Sequence, residues 1–426
     1  EQYQETMGAG DTLAAAAAEH RLYLADYAGL QGLPAGTFPN GQKYLAAPLA
    51  LFAVPAAGSA DRSLRAVAIQ CAQQPGPGSP VFSPRDGLAW QVAKAFVQMA
   101  DGNYHQAISH LGETHLVLEP IVLATCRQLA ASHPLSVLLM PHFEGTLNIN
   151  DAAQSNLMAP SGRVDRAMGG TIAASREVAI KAAQAFPFNH AAPGDALAAR
   201  GVADTTALPG FPYRDDALLV WTAIQQWVSN YLRLYYASDA DVAGDTELQA
   251  WIAEIVSPEG GRMKDIGEDG RIRTLDYLIR AVTQIIFIAG PQHAAVNFPQ
   301  YPIMSFTPNM PLALYKAPPS SRDLTSENGL LDWLPPLDMI QIQMSLGYLL
   351  GHAQDTRLGF YAKTDHGSFR LWAAQSLQGV LGRGYFEDPR VAPLLAAFHQ
   401  GLLSIEDEIT RRNQSRRPYE FLLPSR

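Results

Sequence analysis

Two stretches are the most informative about the fold: His110-Leu111-Gly112-Glu113-Thr114-His115 and, far downstream, His293-Ala294-Ala295-Val296-Asn297. His293 and Asn297 are four positions apart, so they project from one face of a regular α-helix. His110 and His115 are five positions apart, which at about 100° per residue turns them away from each other. A π-helical turn adds one residue, is frequent at functional sites and would bring both onto one face. The spacings therefore predict two helices that present imidazole groups together.

These histidines have two interpretations. Neutral imidazole offers a lone pair at pH 7 and is the commonest metal ligand, so the two helices would hold a metal between them. The alternative is a set of ordinary histidines with hydrogen-bond partners in the core or at the surface, and spacing alone leaves both open. Pro120 removes a further backbone donor and is consistent with an irregular helix. A zinc-protease motif, His-Glu-x-x-His, does not occur.

Composition narrows the class of protein. Of 426 residues 47% are hydrophobic and 17% charged, which permits a large buried core. The net charge of -9 argues against a nucleic-acid partner. No run of about 18 apolar residues predicts a membrane span. The two cysteines predict no disulfide framework, and Cys126, within an apolar helical run, is expected to be buried.

Helical periodicity dominates the chain from Leu88 onward, after a mixed N-terminal part. Asp11–Asp26 is predicted as a helix capped by Asp11 or Thr12, and strands are predicted within 44–54 and 64–69. Loops are predicted at 73–86, 187–213 and 308–323. The predicted later helices are 88–100, 105–131, 216–237, 245–255, 274–300, 337–350, 368–381 and 388–412, the last with Pro389 in its first turn.

Several motifs in a fixed order resemble the catalytic core of the lipoxygenases, in particular the short bacterial and cyanobacterial members. The motifs are Trp90-Gln-Val-Ala-Lys94, Tyr104-His105-Gln106, Ser109-His110, Thr114-His115, Glu119-Pro120, His133-Pro134, Pro141-His142, Asn148-Ile149-Asn150, His293-Ala-Ala-Val-Asn297-Phe298-Pro-Gln300-Tyr301-Pro302 and Pro418-Tyr419-Glu-Phe-Leu-Leu-Pro424. The resemblance implies a mainly α fold with a small amount of β. It implies one large catalytic domain over 1–426, without the family's N-terminal lipid-associating β-barrel.

The resemblance also implies a metal site and its surroundings. One non-haem iron (Fe2+/Fe3+) per chain would be held by His110, His115, His293 and, more weakly, Asn297. The family's remaining ligand is the carboxylate of a C-terminal Ile, whereas the printed sequence ends at Ser425-Arg426. Gln106 and Gln300 are expected to form a hydrogen-bonded bridge between the iron ligands and the substrate cavity. His133 and His142 are expected to be buried hydrogen-bonding residues, and Glu113 to be solvent-facing or structural.

The reaction implied by the resemblance is the dioxygenation of polyunsaturated fatty acids. A hydrogen atom is taken from a doubly allylic methylene, and O2 is inserted to give a hydroperoxide. Ala153, Leu157 and Leu349 would line the substrate and oxygen pocket, and alanine at position 153 predicts mainly S products. A hydroperoxide isomerase on the same iron fold and an iron-poor lipid-binding protein are the alternatives. The expected partners are the fatty acid and O2, and no nucleic-acid partner is expected. Peripheral contact with a membrane is a possible further interaction.

Overall fold

Helices make up most of the structure, a computed structural model that describes residues 2–351, 357–361 and 385–424. Its α-helices are α1 (Gln2–Met7), α2 (Leu13–Ala18), α3 (Gly87–Tyr104), α4 (Val117–Gln128), α5 (Pro134–Leu139), α6 (Thr146–Ala152), α7 (Arg163–Ala167), α8 (Ile172–Ala185), α9 (Pro193–Ala199), α10 (Pro212–Leu232), α11 (Asp239–Gly244), α12 (Thr246–Val256), α13 (Leu275–Phe287), α14 (His293–Asn297), α15 (Gln300–Met304), α16 (Leu337–Leu350) and α17 (Val391–Asn413). The predicted mainly α fold with a small amount of β is confirmed. The predicted helix 368–381 lies outside the described residues.

Within the described residues, three π-helical segments lie in line with these helices. π1 (His105–Leu116) joins α3 to α4, π2 (Ala153–Leu157) extends α6, and π3 (Ile288–Gln292) joins α13 to α14. The predicted helices at 105–131 and 274–300 are therefore continuous helical paths with a π-helical insertion. The irregular turn expected between His110 and His115 is present as π1.

A four-stranded antiparallel sheet, in the order β1-β2-β3-β4, lies between α2 and α3 along the chain. Its strands are β1 (Leu22–Asp26), β2 (Leu49–Ala53), β3 (Arg65–Gln70) and β4 (Val81–Phe82). The two predicted strand regions supply β2 and β3. The predicted loop 73–86 is wrong at β4, whose two residues pair with Ile69 and Gln70 at the end of β3.

The predicted helix 11–26 is wrong beyond Ala18. Thr12 does cap α2, since its side chain accepts a hydrogen bond from the Ala15 N–H. The chain turns at Glu19 and His20. The next residue, Arg21, is 3% exposed and donates to both carboxylate oxygens of Asp11 and to the carbonyl of Val54. These long-range bonds hold the following residues extended in β1, where they pair with β2. Tertiary pairing overrides the helix propensity of this segment.

Other corrections concern local features. The predicted loop 187–213 contains a helix, α9. Pro389, predicted in the first turn of the last helix, instead precedes α17, because the Asp388 carboxylate accepts the Arg390 N–H and holds a turn there. Cys126 is exposed, since the buried face of α4 is formed instead by residues such as Ile121 and Thr125. An apolar stretch on an amphipathic helix does not bury every one of its members.

Close packing against α8 positions π1. A Cβ atom added at Gly112 would lie 2.8 Å from the Ala179 carbonyl oxygen and 2.9 Å from Ala182 Cβ. Real Cβ contacts are not this short, so the two helices approach each other at a distance that requires glycine. Because Gly112 lies between His110 and His115, this contact fixes the helical segment that carries both imidazoles.

The largest core cluster packs α4, α10, α12, α13 and α17 together. Trp227 and Trp251 are its largest buried side chains, and the Trp251 indole N–H donates to Thr125 Oγ1 over 2.9 Å. Large buried aromatic side chains contribute several kcal/mol each to stability. The histidine-bearing segments π1 and π3–α14 are thereby attached to a rigid helical core. None of the helices in the described part of the chain has both the length and the apolar character needed to cross a membrane.

Candidate metal centre

His110 and His115 on π1 and His293 on α14 converge in space. Their potential ligand atoms all lie within 4.8 Å of one another. The ring centroids are 4.9 Å apart for His110 and His115, 5.5 Å for His110 and His293, and 4.8 Å for His115 and His293. The structure thus brings together the three histidines that the spacing and the resemblance singled out. Asn297, one turn after His293, is 4% exposed and faces the same cavity.

The helical distortions explain how two segments can converge. In π1 the i,i+5 geometry aligns His110 with His115, and the Thr114 hydroxyl donates to the Ser109 carbonyl five positions earlier. Ahead of His293, π3 contains Pro291, which has no N–H to donate and cannot complete a regular α-helical ladder. Gly290-Pro291 is a dipeptide that interrupts regular helices, so the sequence alone contained a signal for this irregular turn.

The three imidazoles are held in the neutral form that metal binding requires. Burial lowers the pKa of His293 to about 3, with the neighbouring His115 adding to the effect. Burial is the main reason that the pKa of His110 lies well below its ordinary value, and the neighbouring His115 and His293 lower this pKa further. Burial also lowers the pKa of His115, although Asn150 and Glu119 act in the opposite direction. All three rings therefore keep a free lone pair at pH 7.

His115 is oriented by a relay that ends on a carboxylate. Its Nδ1 lies 2.8 Å from Asn150 Oδ1, and Asn150 Nδ2 donates to Glu119 Oε2 over 2.7 Å. The amide nitrogen must face the carboxylate, so the amide oxygen is left to accept the Nδ1–H of His115. This tautomer leaves Nε2 of His115 unprotonated and available to a metal. The sequence reasoning included Asn150 and Glu119 only within motifs and gave neither of them a role.

His110 is contacted by the predicted glutamine pair. Gln106 Nε2 donates to Gln300 Oε1 over 2.6 Å, and both side chains are buried. Gln300 Nε2 lies 3.2 Å from His110 Nδ1, and Gln106 Oε1 lies 3.5 Å from the same atom. The expected hydrogen bond between the two amides is therefore present beside His110. A metal on Nε2 would leave the proton on Nδ1, where Gln106 Oε1 is the acceptor.

His105, which the sequence reasoning gave no role, ties the two histidine-bearing helices together. Its Nε2 lies 2.6 Å from the Val296 carbonyl oxygen on α14. Because His105 begins π1 and Val296 precedes Asn297, this bond fixes the separation of the two segments. This partly buried imidazole, bonded to a backbone carbonyl, stabilises the site without being one of its three converging rings.

A mostly apolar cavity of about 730 Å³ lies against the histidine cluster. Its wall includes the three histidines and Asn297 on one side, and all three of the predicted pocket residues: Ala153, Leu157 and Leu349. The first two lie on π2, and the third lies near the end of α16. This volume is within the range of small-molecule sites, which are mostly apolar with a few placed polar groups.

His133, His142 and Glu113 have structural partners. His133 caps α5 by accepting the Leu135 N–H at Nδ1, and its Nε2 lies 3.0 Å from Asp245 Oδ2. His142 Nε2 lies 2.9 Å from Tyr361 Oη. Glu113 is partly buried, and burial raises its carboxyl pKa. Its backbone carbonyl accepts from Gln292 over 3.3 Å, which links π1 to π3.

The geometry of the cluster fits a bound metal. Metal–imidazole bonds of about 2.0–2.1 Å place adjacent ligand nitrogens about 3 Å apart around one ion. His110 Nε2 and His115 Nε2 are 3.2 Å apart, and neither ring is charged at neutral pH. Three neutral nitrogen donors with amide oxygen nearby suit a divalent transition metal of intermediate softness. The donor set thus matches the non-haem iron that lipoxygenases use.

Burial of His142 predicts an acid-sensitive step in folding stability. Burial lowers its pKa to about 4, whereas an unfolded histidine titrates near 6.5. As pH falls from about 6.5 to 4, the unfolded chain binds a proton here that the folded chain does not. Stability should therefore decrease by about 2 kcal/mol from this site between pH 7 and pH 5.

Urea unfolding of the wild type and His142→Gln at both pH values measures this effect. The variant should lose less stability on acidification than the wild type, even if it is less stable at pH 7. An identical pH dependence in the two proteins would contradict the assignment.

Comparison with known proteins places the chain in a family. The Lipoxygenase family model matches residues 9–419. The linoleate 9/13-lipoxygenase of Pseudomonas aeruginosa is 41% identical, over 100% of this chain and 61% of its own length. The human hydroperoxide isomerase ALOXE3 is 33% identical, over 95% of this chain and 53% of its own. The chain therefore spans about three fifths or less of the length of these relatives.

Solved structures agree with this relationship. The anaerobic crystal structure of a lipoxygenase variant, delta413-417:GS, in complex with arachidonate superposes with a TM-score of 0.88 and 29% identity, over 100% of this chain and 61% of that one. The structure of coral 8R-lipoxygenase gives a TM-score of 0.87 and 30% identity, over 99% and 61%. With the matching family model, the ordered motifs and the converging histidines, these similarities show that the chain belongs to the lipoxygenase family.

Proposed function

We propose that this protein is an iron-dependent dioxygenase that converts polyunsaturated fatty acids into hydroperoxides. The observation that carries the proposal is the position of three neutral histidines, from π1 and α14, on the wall of a mostly apolar cavity of about 730 Å³. An apolar cavity beside a redox-capable metal site suits a long hydrocarbon substrate. A relative named for linoleate and a structural neighbour that holds arachidonate support this substrate class.

In this proposal His110, His115 and His293 hold one iron per chain through ring nitrogens. Asn297, buried on the same helix as His293, adds its side-chain oxygen as a weaker ligand or hydrogen-bond partner. Non-haem iron with open positions supplies, when bound, the one-electron redox change that activates a doubly allylic C–H bond for reaction with O2.

The protein residues orient both the ligands and the substrate. The Glu119–Asn150 relay keeps the proton of His115 on Nδ1, and the Gln106–Gln300 pair connects His110 to the cavity wall. Apolar walls that include Leu157 and Leu349 would hold the hydrocarbon chain and exclude water from the reacting carbon atoms.

Oxygen uptake with linoleate and arachidonate, combined with chiral chromatography of the products, tests the proposed reaction. Dioxygenation should consume O2 and give conjugated-diene hydroperoxides. Conversion of added hydroperoxides without O2 uptake would instead support an isomerase, the activity for which the 33% identical ALOXE3 is named. Fatty-acid binding with neither reaction, in protein loaded with iron, would support a lipid-binding protein.

Ala153→Gly should change the stereochemistry of the product. The methyl group of Ala153 lies on the cavity wall and, in this proposal, limits the access of O2 to one end of the pentadienyl radical. Its removal opens a small space, and a preference of about 1.4 kcal/mol between two paths already changes a product ratio tenfold. The wild type should give mainly S hydroperoxide, and the variant more R product at a shifted carbon. Identical chiral and positional product ratios would show that this residue does not control oxygen entry.

We propose that the chain acts as one catalytic domain, since the sheet packs directly on α3, the helix that continues into π1.

We also propose peripheral contact with a lipid surface at the cavity rim, where Ile149, Tyr348 and Leu349 are substantially exposed and also line the cavity. Sedimentation with neutral phosphatidylcholine vesicles tests this contact, and the absence of co-sedimentation would contradict it.

A further inference from the structure

We infer that Tyr361 and His142 form a hydrogen-bonded redox pair that reduces lipid alkoxyl radicals formed beside the metal centre. The inference rests on the function proposed above and adds a second activity next to the same site. A fatty-acid hydroperoxide that meets a one-electron redox metal breaks at its O–O bond and gives an alkoxyl radical. An oxidisable side chain nearby would reduce that radical before it attacks a metal ligand or the cavity wall.

The phenol of Tyr361 has two polar partners among the described residues. Its Oη lies 2.9 Å from His142 Nε2, and the Trp227 indole N–H donates to the same oxygen over 2.8 Å. Because an indole N–H can only donate, the phenol proton is directed at His142 Nε2. Tyr361 is buried, so the phenol and its proton acceptor meet away from bulk water.

The pair lies next to the metal centre without being part of it. His142 belongs to a short 3₁₀ turn, Met140–Phe143, which packs against π3, the segment that leads into His293. His142 and His293 line one small cavity, and His293 also lines the large apolar cavity. His293 is therefore common to both cavities, so one imidazole connects the place where the radical would form with the Tyr361–His142 pair.

Neutral His142 is the base that oxidation of the phenol needs. Burial lowers the pKa of His142 to about 4 and raises the pKa of the Tyr361 phenol, so at pH 7 the pair is a neutral imidazole and a protonated phenol. A phenol that has lost an electron is a much stronger acid than an imidazolium group. Its proton therefore passes to His142 even though that ring is a weak base. The pair gives up an electron without leaving a charged phenol in the interior.

The proposed step moves one electron and one proton. The alkoxyl radical gains the electron from Tyr361 and takes a proton from water at the cavity mouth, which gives the hydroxy fatty acid and hydroxide. Tyr361 becomes a neutral tyrosyl radical, and the proton that it leaves on His142 is released to solvent and neutralises the hydroxide. The O–H bond that forms in the alcohol is stronger than the phenolic O–H bond that breaks, so the step is downhill.

A chain of aromatic rings leads from Tyr361 to the protein surface. The ring centroids are 5.7 Å apart for Tyr361 and Trp227 and 5.6 Å apart for Trp227 and Tyr231. The next step, from Tyr231 to the half-buried Tyr235, is 5.2 Å. Burial and the adjacent Asp388 carboxylate raise the pKa of the Tyr235 phenol, so a proton acceptor is present at this end as well.

This chain would return Tyr361 to its resting state. Tyr235 supplies the electron, its proton passes to Asp388 and then to water, and Tyr361 takes up a proton again through His142. A small water-soluble reductant of the ene-diol class, such as ascorbate, then gives an electron and a proton to Tyr235. The oxidising equivalent thereby leaves the buried site by way of side chains that can be repaired at the surface.

Electron paramagnetic resonance after anaerobic mixing with linoleate hydroperoxide tests the pair. The iron-loaded wild type should give a tyrosyl radical signal, which should narrow when the protein contains ring-deuterated tyrosine. Tyr361→Phe keeps the ring but removes the phenol, and most of the signal should be lost. His142→Gln keeps a polar side chain but removes the base, and should slow radical formation about a hundredfold. Tyr23→Phe is the control, since Tyr23 lies on β1, outside the aromatic chain, and should match the wild type.

Loss of activity in the presence of hydroperoxide gives a second readout. Tyr361 does not line the substrate cavity, so Tyr361→Phe should take up O2 at the initial rate of the wild type but lose activity faster. Ascorbate should remove the radical and prolong the activity of the wild type, and it should protect Tyr235→Phe less. A wild type that forms no tyrosyl radical, or an equal radical yield in Tyr361→Phe, would overturn the pair.

The outcome is separable from that of the proposed function. If the wild type takes up no O2 with linoleate yet forms the Tyr361-dependent radical with the hydroperoxide, the pair stands and the dioxygenase proposal fails. If O2 is consumed but the hydroperoxide gives no radical that depends on Tyr361, the reverse holds. Circular dichroism of each variant confirms that the fold is retained in both experiments.

Discussion

His115→Ala and His293→Ala should each lose bound iron and the oxygen uptake that depends on it. The three imidazoles supply the strong donors of the proposed site, and their ligand atoms lie within 4.8 Å of one another. Loss of partners that merely orient a ligand already weakens metal binding 10- to 100-fold, so loss of a ligand should cost at least about a hundredfold. Iron content should fall from about one per chain to below about a tenth.

Metal analysis after purification in iron-containing medium checks this result, with circular dichroism to confirm that the fold is retained. His190→Ala is the matched control, since His190 is exposed and lies outside the histidine cluster. It should keep the iron content of the wild type. Full iron retention in either His115→Ala or His293→Ala would refute the assignment of these residues as ligands.

Gly112→Val should disrupt the metal centre without touching a ligand. Even the Cβ atom of a side chain at position 112 would lie 2.8 Å from the Ala179 carbonyl oxygen and 2.9 Å from Ala182 Cβ. A backbone carbonyl cannot move aside without displacing its helix, so π1 and α8 would have to separate. Overpacking of this kind lowers the free energy of unfolding by about 1–3 kcal/mol or more. The displacement should also misalign His110 and His115, which flank the glycine.

Thermal unfolding and iron content measure the two consequences separately. Gly112→Val should lower both, and Gly112→Ala should have a smaller effect of the same sign. Gly401→Ala is the control, because Gly401 lies within α17 with no atom within 4 Å of an added Cβ. It should leave iron content unchanged and stabilise the helix by about 0.5–1 kcal/mol. Wild-type stability and iron content in Gly112→Val would contradict the close-packing argument.

Local patterns in the sequence were sufficient for much of the helical framework. The periodicity at 337–350 coincides with α16, because an amphipathic or buried helix must repeat its apolar side chains at the helical period. The i,i+5 spacing of His110 and His115 predicted an insertion that exists as π1, since only such a turn aligns residues five apart. The ordered motifs also identified the family and its expected ligands.

Features that depend on distant partners could not be predicted from local sequence patterns. Residues 22–26 form β1 rather than a helix because Arg21 bonds to Asp11 and Val54 and because β2 offers a pairing edge. No local pattern could show that Asn150 links His115 to Glu119, since Asn150 lies on α6, 35 positions after His115. The sequence determined which side chains are present and how they repeat. Packing decided which of them meet, because hydrogen bonds and ion pairs form by distance in space rather than by separation along the chain.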